Sequence, residues 1–371
     1  MEEQFMQNYE EFEGLEWTLP SGTIVDRIVR DYVQTLRKES TLHSFVISQT
    51  RYFTQCFSPE DRSAFQKSVS ESDKLADEDL PLSEWKKAKI RQYQVAPKDI
   101  WTILQSGWTT TDITPEVDEP KALLFCCSLH QAMLDLASVY RNYRYRLPPN
   151  KPEAWYRTKI WGFLWKVIDA NGILEIDLGE VTSSASSLRK NGERVLETKQ
   201  FQGRKIDGIV TCCVTNLEIC AMEAGKTDQG TNGTKVLQDS VKMAKVLKDM
   251  FDAICSQCSA QPESIRRDLR VYGILVSGLR MDFVSFRYLE GRFFRMQTED
   301  TIHLPSAWDD DGIATGTIIA SVSKIISFTE RMERMSAKIT RWTQVSEDTK
   351  ATDNRSPMIA TLTTPYNSPR R

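Results

Sequence analysis

The chain has 371 residues, a length that suits one large hydrophobic core or two smaller ones. Hydrophobic residues make up 40% and charged residues 27% of the sequence, a composition typical of folded globular proteins rather than disordered ones. The 48 basic and 51 acidic side chains give a net charge of −3. A basic coat over the whole surface is therefore excluded, whereas local basic patches are not.

The sequence also bears on location. No run reaches the roughly 18–20 apolar residues that a membrane-spanning helix needs. The first sixteen residues contain six glutamates and no basic residue, unlike a secretory signal. The eight cysteines include two adjacent pairs and do not resemble a disulfide framework. We therefore expect an intracellular protein, in the nucleus or the cytoplasm, that is not secreted and not bound to a membrane.

The first part of the chain, residues 1–146, is predicted to be mainly helical. Apolar residues at helical spacing occur over 23–38, short helices are expected over 84–106, and a longer helix is expected over 120–140. Nothing in this region carries recognisable chemistry.

The pattern changes after the proline-rich sequence at 147–152. The residues that follow predict, in chain order, a helix at 153–170, strands at 173–178, 205–214 and 217–224, a helix at 234–254, and strands at 269–279, 282–289 and 292–297. The order helix, three strands, helix, strand predicts an α/β core over 147–300. We expect the segment 301–342 to form a C-terminal helix that packs on this core, and the polar residues 343–371 to form a disordered tail.

Candidate catalytic residues lie in the second and third strands of this core. Asp207 is in one strand, and Glu223 is near the end of the next, followed by Lys226. Hairpin-paired strands can bring the two carboxylates together, and such a pair favours a divalent cation, with Mg²⁺ the ion that uses few carboxylates and keeps water ligands. Glu153 could add a third acid. The alternative is that these are ordinary strand-end charges and that Glu153 only stabilises its helix N-terminus.

This series of residues, Glu153, Asp207 and Glu223-Ala-Gly-Lys226, resembles the PD-(D/E)XK nuclease superfamily over residues 150–280. The surrounding text, GRKIDGIV, EAGKT and KMAKVLKDM, is also similar to that of uncharacterised fungal proteins with a nuclease-like core. The resemblance implies a restriction-endonuclease-like αβββαβ fold. It also implies that Asp207 and Glu223 bind Mg²⁺, that Lys226 is the catalytic lysine and that Glu153 is the acid on the helix.

The spacing of the acid and the lysine departs from the superfamily pattern. The pattern places them two residues apart on one strand face, whereas Glu223 and Lys226 are three apart and fall on opposite faces of a regular strand. A bulge at Ala224-Gly225 would restore the alignment. Alternatively Lys205, two residues before Asp207, could supply the ammonium. If neither holds, the site is inactive.

Two basic segments flank the candidate site. Residues 140–159 contain six basic, one acidic and five aromatic residues, and residues 187–205 contain six basic and two acidic ones. Such segments suit phosphate contact and base stacking, although solvated loops would have the same composition. The residues expected to contact nucleic acid are Arg141, Arg144, Arg146, Arg157, Arg189, Lys190 and Arg204. The basic helix that follows is expected instead to carry a salt-bridged outer face, with pairs Lys235–Asp239, Lys245–Asp249 and Lys248–Asp252.

The function expected from the sequence is that of a Mg²⁺-dependent phosphodiester hydrolase, an endonuclease that acts on nucleic acid and on DNA in particular. The alternative is a catalytically inactive nuclease-like fold that serves as a nucleic-acid-binding or protein-interaction module.

Overall fold

A mixed seven-stranded β-sheet organises the fold in a computed structural model that describes residues 2–10, 16–48, 53–74, 83–95, 97–106, 119–170, 172–192, 199–225, 234–258, 262–308 and 313–349. The strands are β1 (Val46–Ile47), β2 (Leu174–Thr182), β3 (Lys205–Cys212), β4 (Leu217–Gly225), β5 (Val271–Ser277), β6 (Arg280–Glu290) and β7 (Phe293–His303). Their order across the sheet is β1-β7-β6-β5-β4-β3-β2.

Helices pack on both faces of the sheet and also form much of the N-terminal part of the chain. They are α1 (Glu2–Glu10), α2 (Val25–Gln34), α3 (Pro59–Lys74), α4 (Glu84–Arg91), α5 (Pro97–Ser106), α6 (Glu119–Asn142), α7 (Gly162–Asp169), α8 (Ser184–Asn191), α9 (Thr234–Gln257), α10 (Pro262–Asp268) and α11 (Ile313–Thr349). A short turn at Glu153–Trp155 and a π-helical turn at Tyr156–Ile160 precede α7. The expected mixed α/β architecture with a C-terminal helix is thus confirmed.

The strand pairing follows from the connections between the strands. β2, β3 and β4 form an antiparallel meander, and β5, β6 and β7 form another. β4 and β5 are parallel, which requires a crossover, and α9 supplies it. The short β1, which the sequence did not predict, pairs in parallel with β7 at the sheet edge.

The two longest covering helices lie on opposite faces of the sheet. On the α9 face, a Cβ added at Gly273 would lie 3.1 Å from the Sδ atom of Met243 and 3.4 Å from Leu247, so the glycine allows the helix to approach closely. On the other face, the Phe328 ring of α11 stacks on Phe283 with centroids 4.3 Å apart. Both faces are therefore buried.

The N-terminal residues divide between two hydrophobic cores. Residues of α1, α2 and α3 build a small aromatic core that includes Leu289 and Phe293 of the sheet. Residues of α4, α5 and α6 belong to the large core around the sheet. The region 1–146 therefore packs on the α/β part along much of its length.

Helix α6 has an apolar stretch, 122–142, that is long and apolar enough to cross a membrane by length and composition alone. Core helices of globular proteins pass the same test. Leu129, Met133 and Leu136 of this stretch are buried in the large core. The stretch is therefore weak evidence for a membrane span.

Helix α11 continues through Thr349, so residues 343–349 are helical where the start of a disordered tail was expected. The chain has no glycine or proline between residue 343 and Pro357, and nothing local ends the helix earlier. Residues 301–303, assigned to the C-terminal helical segment, complete β7 instead. The expected disorder at 350–371 lies outside the described residues.

The expected salt-bridged outer face of α9 is correct in part. Lys248 and Asp252 form the predicted pair, with 2.9 Å between Nζ and Oδ2. Lys245 and Asp249 do not pair with each other, because both are buried and have partners on other segments. The side chain of Lys235 lies outside the described part of the chain.

Candidate active site

The structure brings Asp207 and Glu223 together on the central strands. Gly208 of β3 pairs with Met222 of β4, which places Asp207 opposite Glu223 one step further along. Directly opposed residues of antiparallel strands share a sheet face, with Cβ atoms about 4.5–5.5 Å apart. The Oδ2 atom of Asp207 also accepts a hydrogen bond of 2.8 Å from the backbone N–H of Ala224. The two carboxylates expected to act together are therefore neighbours.

Glu223 lies in the wall of a small cleft at this end of the sheet. The register extends the row of side chains across the sheet, because Glu223 pairs with Leu275 and Leu275 pairs with Asp282. Asp239, near the start of α9, adds a further acid from outside the sheet. The lining residues are Glu223, Asp239, Leu275, Val276, Ser277, Arg280 and Asp282.

The carboxylate of Glu223 combines burial with an ammonium partner. The side chain is only 5% exposed and forms an ion pair with Lys242 of α9. Burial raises the pKa of Glu223 to about 7, Lys242 opposes this rise, and the negative charges of Asp207 and Asp239 add to it. Glu223 is therefore a carboxyl group that changes its charge near neutral pH, a property found often in functional sites.

Asp207 faces a guanidinium. The Nη1 atom of Arg157 lies 3.9 Å from Oδ1 of Asp207, and Arg157 belongs to the π-helical turn before α7. The backbone carbonyl of Arg157 accepts a hydrogen bond of 3.2 Å from the Trp165 indole. Single π-helical turns of this kind are frequent at functional sites, and here the turn carries the side chain that contacts Asp207.

The π-helical segment is fixed to the sheet by Trp161. This side chain is fully buried, and its indole N–H donates a 2.8 Å hydrogen bond to the carbonyl of Gly278, just after β5. The backbone N–H of Gly278 in turn donates to the carbonyl of Gly225 at the end of β4. One buried side chain thus connects the Arg157 segment to the strand ends that border the cleft.

Trp161→Phe is expected to lower the free energy of unfolding by about 1–3 kcal/mol, because it leaves the Gly278 carbonyl unpaired and a small cavity beside it. Urea unfolding followed by circular dichroism measures this change. The half-buried Trp155, whose indole donates to the Tyr143 hydroxyl, offers a matched control, since Trp155→Phe should lose less than about 1 kcal/mol. Equal losses in the two variants would contradict the role assigned to Trp161.

The sequence predicts Lys226 or Lys205 as the catalytic lysine, whereas a different lysine, Lys242, contacts Glu223. Lys226 lies outside the described residues. Lys205 is exposed and pairs with Glu180 of β2, with 3.1 Å between Nζ and Oε2. The ammonium that contacts Glu223 thus comes from a helix, nineteen residues further along the chain. The only sequence signal for it is the Asp239–Lys242 spacing, which places both residues on one face near the start of α9.

Glu153, the expected helix acid, opens the helical segment four residues before Arg157 and is half-buried. Four residues is about one helical turn, so Glu153 belongs to the same segment as the contact to Asp207. Arg157, one turn later in this segment, is the residue that contacts Asp207.

The expected nucleic-acid-binding residues form two groups. In the first group, the Arg141 guanidinium lies over the Trp101 ring, 4.7 Å from its centroid, and Arg144 and Arg146 are exposed in the turn after α6. In the second group, Arg189 pairs with the buried Asp249, the Lys190 ammonium donates to the Gln202 carbonyl at 2.8 Å, and Arg204 is partly buried close to Asp249. Arg157 stands apart from both groups, beside Asp207.

The donor atoms at the site suit a hard cation with few protein ligands. Within the described ranges, no group of three or more histidine, cysteine, aspartate or glutamate side chains is arranged to hold a metal. Mg²⁺ differs from most other metals because one or two carboxylates suffice, with water and substrate phosphate as the remaining ligands. Asp207 and Glu223 match that requirement.

Comparison of the chain with protein-family models, curated proteins and solved structures gave no match. A family assignment therefore depends on the resemblance of the residues around Asp207 and Glu223.

Proposed function

We propose that this protein is a Mg²⁺-dependent phosphodiester hydrolase that acts on nucleic acid, with DNA as the expected substrate. The observation that carries the proposal is the position of Asp207 opposite Glu223, with the Lys242 ammonium on Glu223, at the edge of a cleft. Two neighbouring acids with one ammonium are the groups that metal-assisted phosphoryl chemistry needs.

The order of elements supports the proposal. Apart from the short helices α8 and α10, the helical segment that ends in α7 is followed by β2, β3 and β4, then by α9 and β5. This is the αβββαβ order of a restriction-endonuclease-like core, and we propose that fold relationship for residues 147–300. Asp207 and Glu223 lie in the second and third strands of this series, where the resemblance places the acids of the site.

Asp207 and Glu223 would hold the Mg²⁺ ion. The ion would lower the pKa of a bound water and neutralise charge on the phosphoryl oxygens. The protein's own contribution begins with Glu223, whose buried carboxyl group has a pKa of about 7. A bound cation would favour the ionised form of Glu223, since it would offset both the loss of hydration and the repulsion from Asp207.

The two cationic side chains have separate tasks. Lys242 neutralises Glu223 and, next to the cleft, can face a phosphate oxygen or orient the attacking water. Arg157 presents a planar guanidinium beside Asp207, a group that suits two phosphate oxygens at once. Arg157 was expected to bind nucleic acid, and its position at Asp207 favours a phosphate close to the bond that is broken.

The test is a cleavage assay with labelled DNA in the presence of Mg²⁺. Asp207→Asn and Glu223→Gln should each reduce the rate by about 100-fold or more, because each removes a negatively charged metal ligand while nearly conserving shape. Glu180→Gln, an exposed acid on β2 of the same sheet, serves as the matched control and should cleave at the original rate. Cleavage at the original rate in both site variants would contradict the proposal.

A specific observation also favours the second candidate, an inactive nuclease-like fold that binds nucleic acid. Each acid already has a cationic partner in the protein, Lys242 for Glu223 and Arg157 for Asp207, and these charges occupy the surroundings that a metal ion would need. This candidate predicts that the unmodified protein binds labelled DNA equally well with Mg²⁺ and with EDTA and does not cleave it. Mg²⁺-dependent cleavage that requires Asp207 would exclude it.

A further inference from the structure

Basic side chains from four separate parts of the chain converge beside α9. We call this group the basic surface and define it by the residues Arg37, Lys38, Arg189, Lys190, Arg204 and Lys245. The positions 37–38, 189–204 and 245 are far apart in sequence, so these side chains come together only in the folded protein. Arg37 and Lys38 are exposed, and Lys190 is half-exposed.

The N-terminal part of the basic surface is attached to α9 by an ion pair. The buried ammonium of Lys245 contacts the carboxylate of Glu39, which follows Arg37 and Lys38 directly. The pair therefore holds these two exposed cations against the middle of α9.

The second part is attached through Asp249, one helical turn further along α9. Asp249 is 3% exposed and pairs with the Arg189 guanidinium, which is 8% exposed. Its other carboxylate oxygen accepts a hydrogen bond from the Ser186 hydroxyl. This contact fixes the end of α8, and with it the neighbouring Lys190, beside the helix.

Positive charge exceeds negative charge in this group. Among the residues that the structure describes, the six cations of the basic surface lie together with two acids, Glu39 and Asp249. The cations repel one another. Burial and the charges of Arg204 and Arg189 lower the pKa of both Lys190 and Lys245. An anion bound at the surface would relieve this repulsion.

The basic surface lies at a fixed distance from the candidate active site. Lys242, Lys245 and Asp249 lie in this order on one face of α9, and Lys242 contacts Glu223. The seven residues from Lys242 to Asp249 span about 10 Å of helix. Along β3, the three residues from Arg204 to Asp207 also span about 10 Å. Successive phosphates of one DNA strand are about 3.4 Å apart along the helix axis, so a strand bound at the site would have other phosphates within reach of the basic surface.

We infer that the basic surface binds the phosphate backbone of the nucleic-acid substrate beside the nucleotides at Asp207. This inference rests on the proposed function for the identity of the substrate. The exposed cations Lys38 and Lys190 would contact phosphates, and the buried Arg189 and Lys245 would position them. The regular charge of a nucleic-acid strand suits a surface whose cations come from several segments.

The test uses fluorescein-labelled single-stranded DNA and its duplex, with the full chain and fluorescence anisotropy. The double variant K38E/K190E should raise Kd by about tenfold or more at low salt and reduce the slope of log Kd against log salt by about two. The matched control is K87E/R91E, which makes the same charge change on α4. This helix packs with α11 on the opposite face of the sheet, and Kd should stay within about twofold.

Cleavage measured at saturating DNA separates this inference from the proposed function. If the basic surface binds substrate, K38E/K190E should raise the DNA concentration that gives the half-maximal rate by about the same factor as Kd, while Asp207→Asn loses the rate even at saturation. Unchanged Kd and salt slope in K38E/K190E would overturn the inference, even if cleavage requires Asp207. An equal loss of affinity in K87E/R91E would also overturn it, since net charge alone would then explain the binding.

Discussion

Asp249→Ala is expected to lower the free energy of unfolding by about 3–5 kcal/mol, the usual cost of removing one partner from a buried ion pair. The substitution leaves the Arg189 guanidinium buried without its carboxylate and removes the acceptor of the Ser186 hydroxyl. It also removes a negative charge that favours the protonated Arg204 guanidinium. Guanidinium chloride unfolding of the variant and the original protein measures the difference.

Asp268→Ala is the control for this prediction. Asp268 pairs with Lys338 at 2.9 Å, but the acid is 42% exposed, and an exposed pair contributes less than about 1 kcal/mol. A similar small loss in Asp249→Ala would show that the pair with Arg189 does not hold α8 on α9.

Glu223→Gln is expected to make the protein more stable than the original one at pH values above about 7, and this advantage should disappear towards about pH 5. The folded protein holds the Glu223 proton up to a pKa of about 7, whereas the ordinary value is 4.5. Between these values the folded state binds more protons than the unfolded state, so the contribution of Glu223 to stability falls as pH rises. At pH values above about 7, this pKa difference makes the free energy of unfolding of Glu223→Gln higher than that of the original protein by about 3 kcal/mol.

Thermal unfolding across this pH range measures the effect, read as the difference between the variant and the original protein at each pH. Constant effects of the substitution cancel in that comparison. Glu180→Gln should give a profile parallel to that of the original protein, because Glu180 is exposed. Parallel profiles for Glu223→Gln would mean that burial does not raise the pKa of Glu223. Added Mg²⁺ should reduce the advantage of Glu223→Gln if the ion binds at this carboxylate.

Much of the α/β part could be predicted from sequence, because its elements carry strong local patterns. The strands β3 and β4 are short apolar runs around the turn at Asn216, and α9 is a long segment of helical period. β1 could not be predicted in this way. It has two residues, and its strand geometry depends on β7, which lies almost 250 residues later.

The candidate site could be predicted only as far as its strand residues. Asp207 and Glu223 lie on consecutive strands, so the hairpin register alone brings them together. Lys242 could not be identified as their ammonium partner, because its contact depends on how α9 packs across the sheet. Lys245 and Asp249 show the same limit of prediction from sequence. Their spacing within one helix predicts a local pair, but the packing of α8 and of the Glu39 loop provides other partners.

The attachment of the N-terminal residues to the far end of the chain has a consequence for how the protein reaches its folded state. The Lys245–Glu39 contact joins residues 206 positions apart, and the Arg292 guanidinium reaches the Tyr9 carbonyl across 283 positions. Contacts of such long range have to wait for most of the chain, which slows folding. During synthesis, the aromatic residues of α1 and α2 emerge long before β7 exists to cover them. They therefore spend that interval as exposed apolar surface, the condition in which nascent chains most need a chaperone.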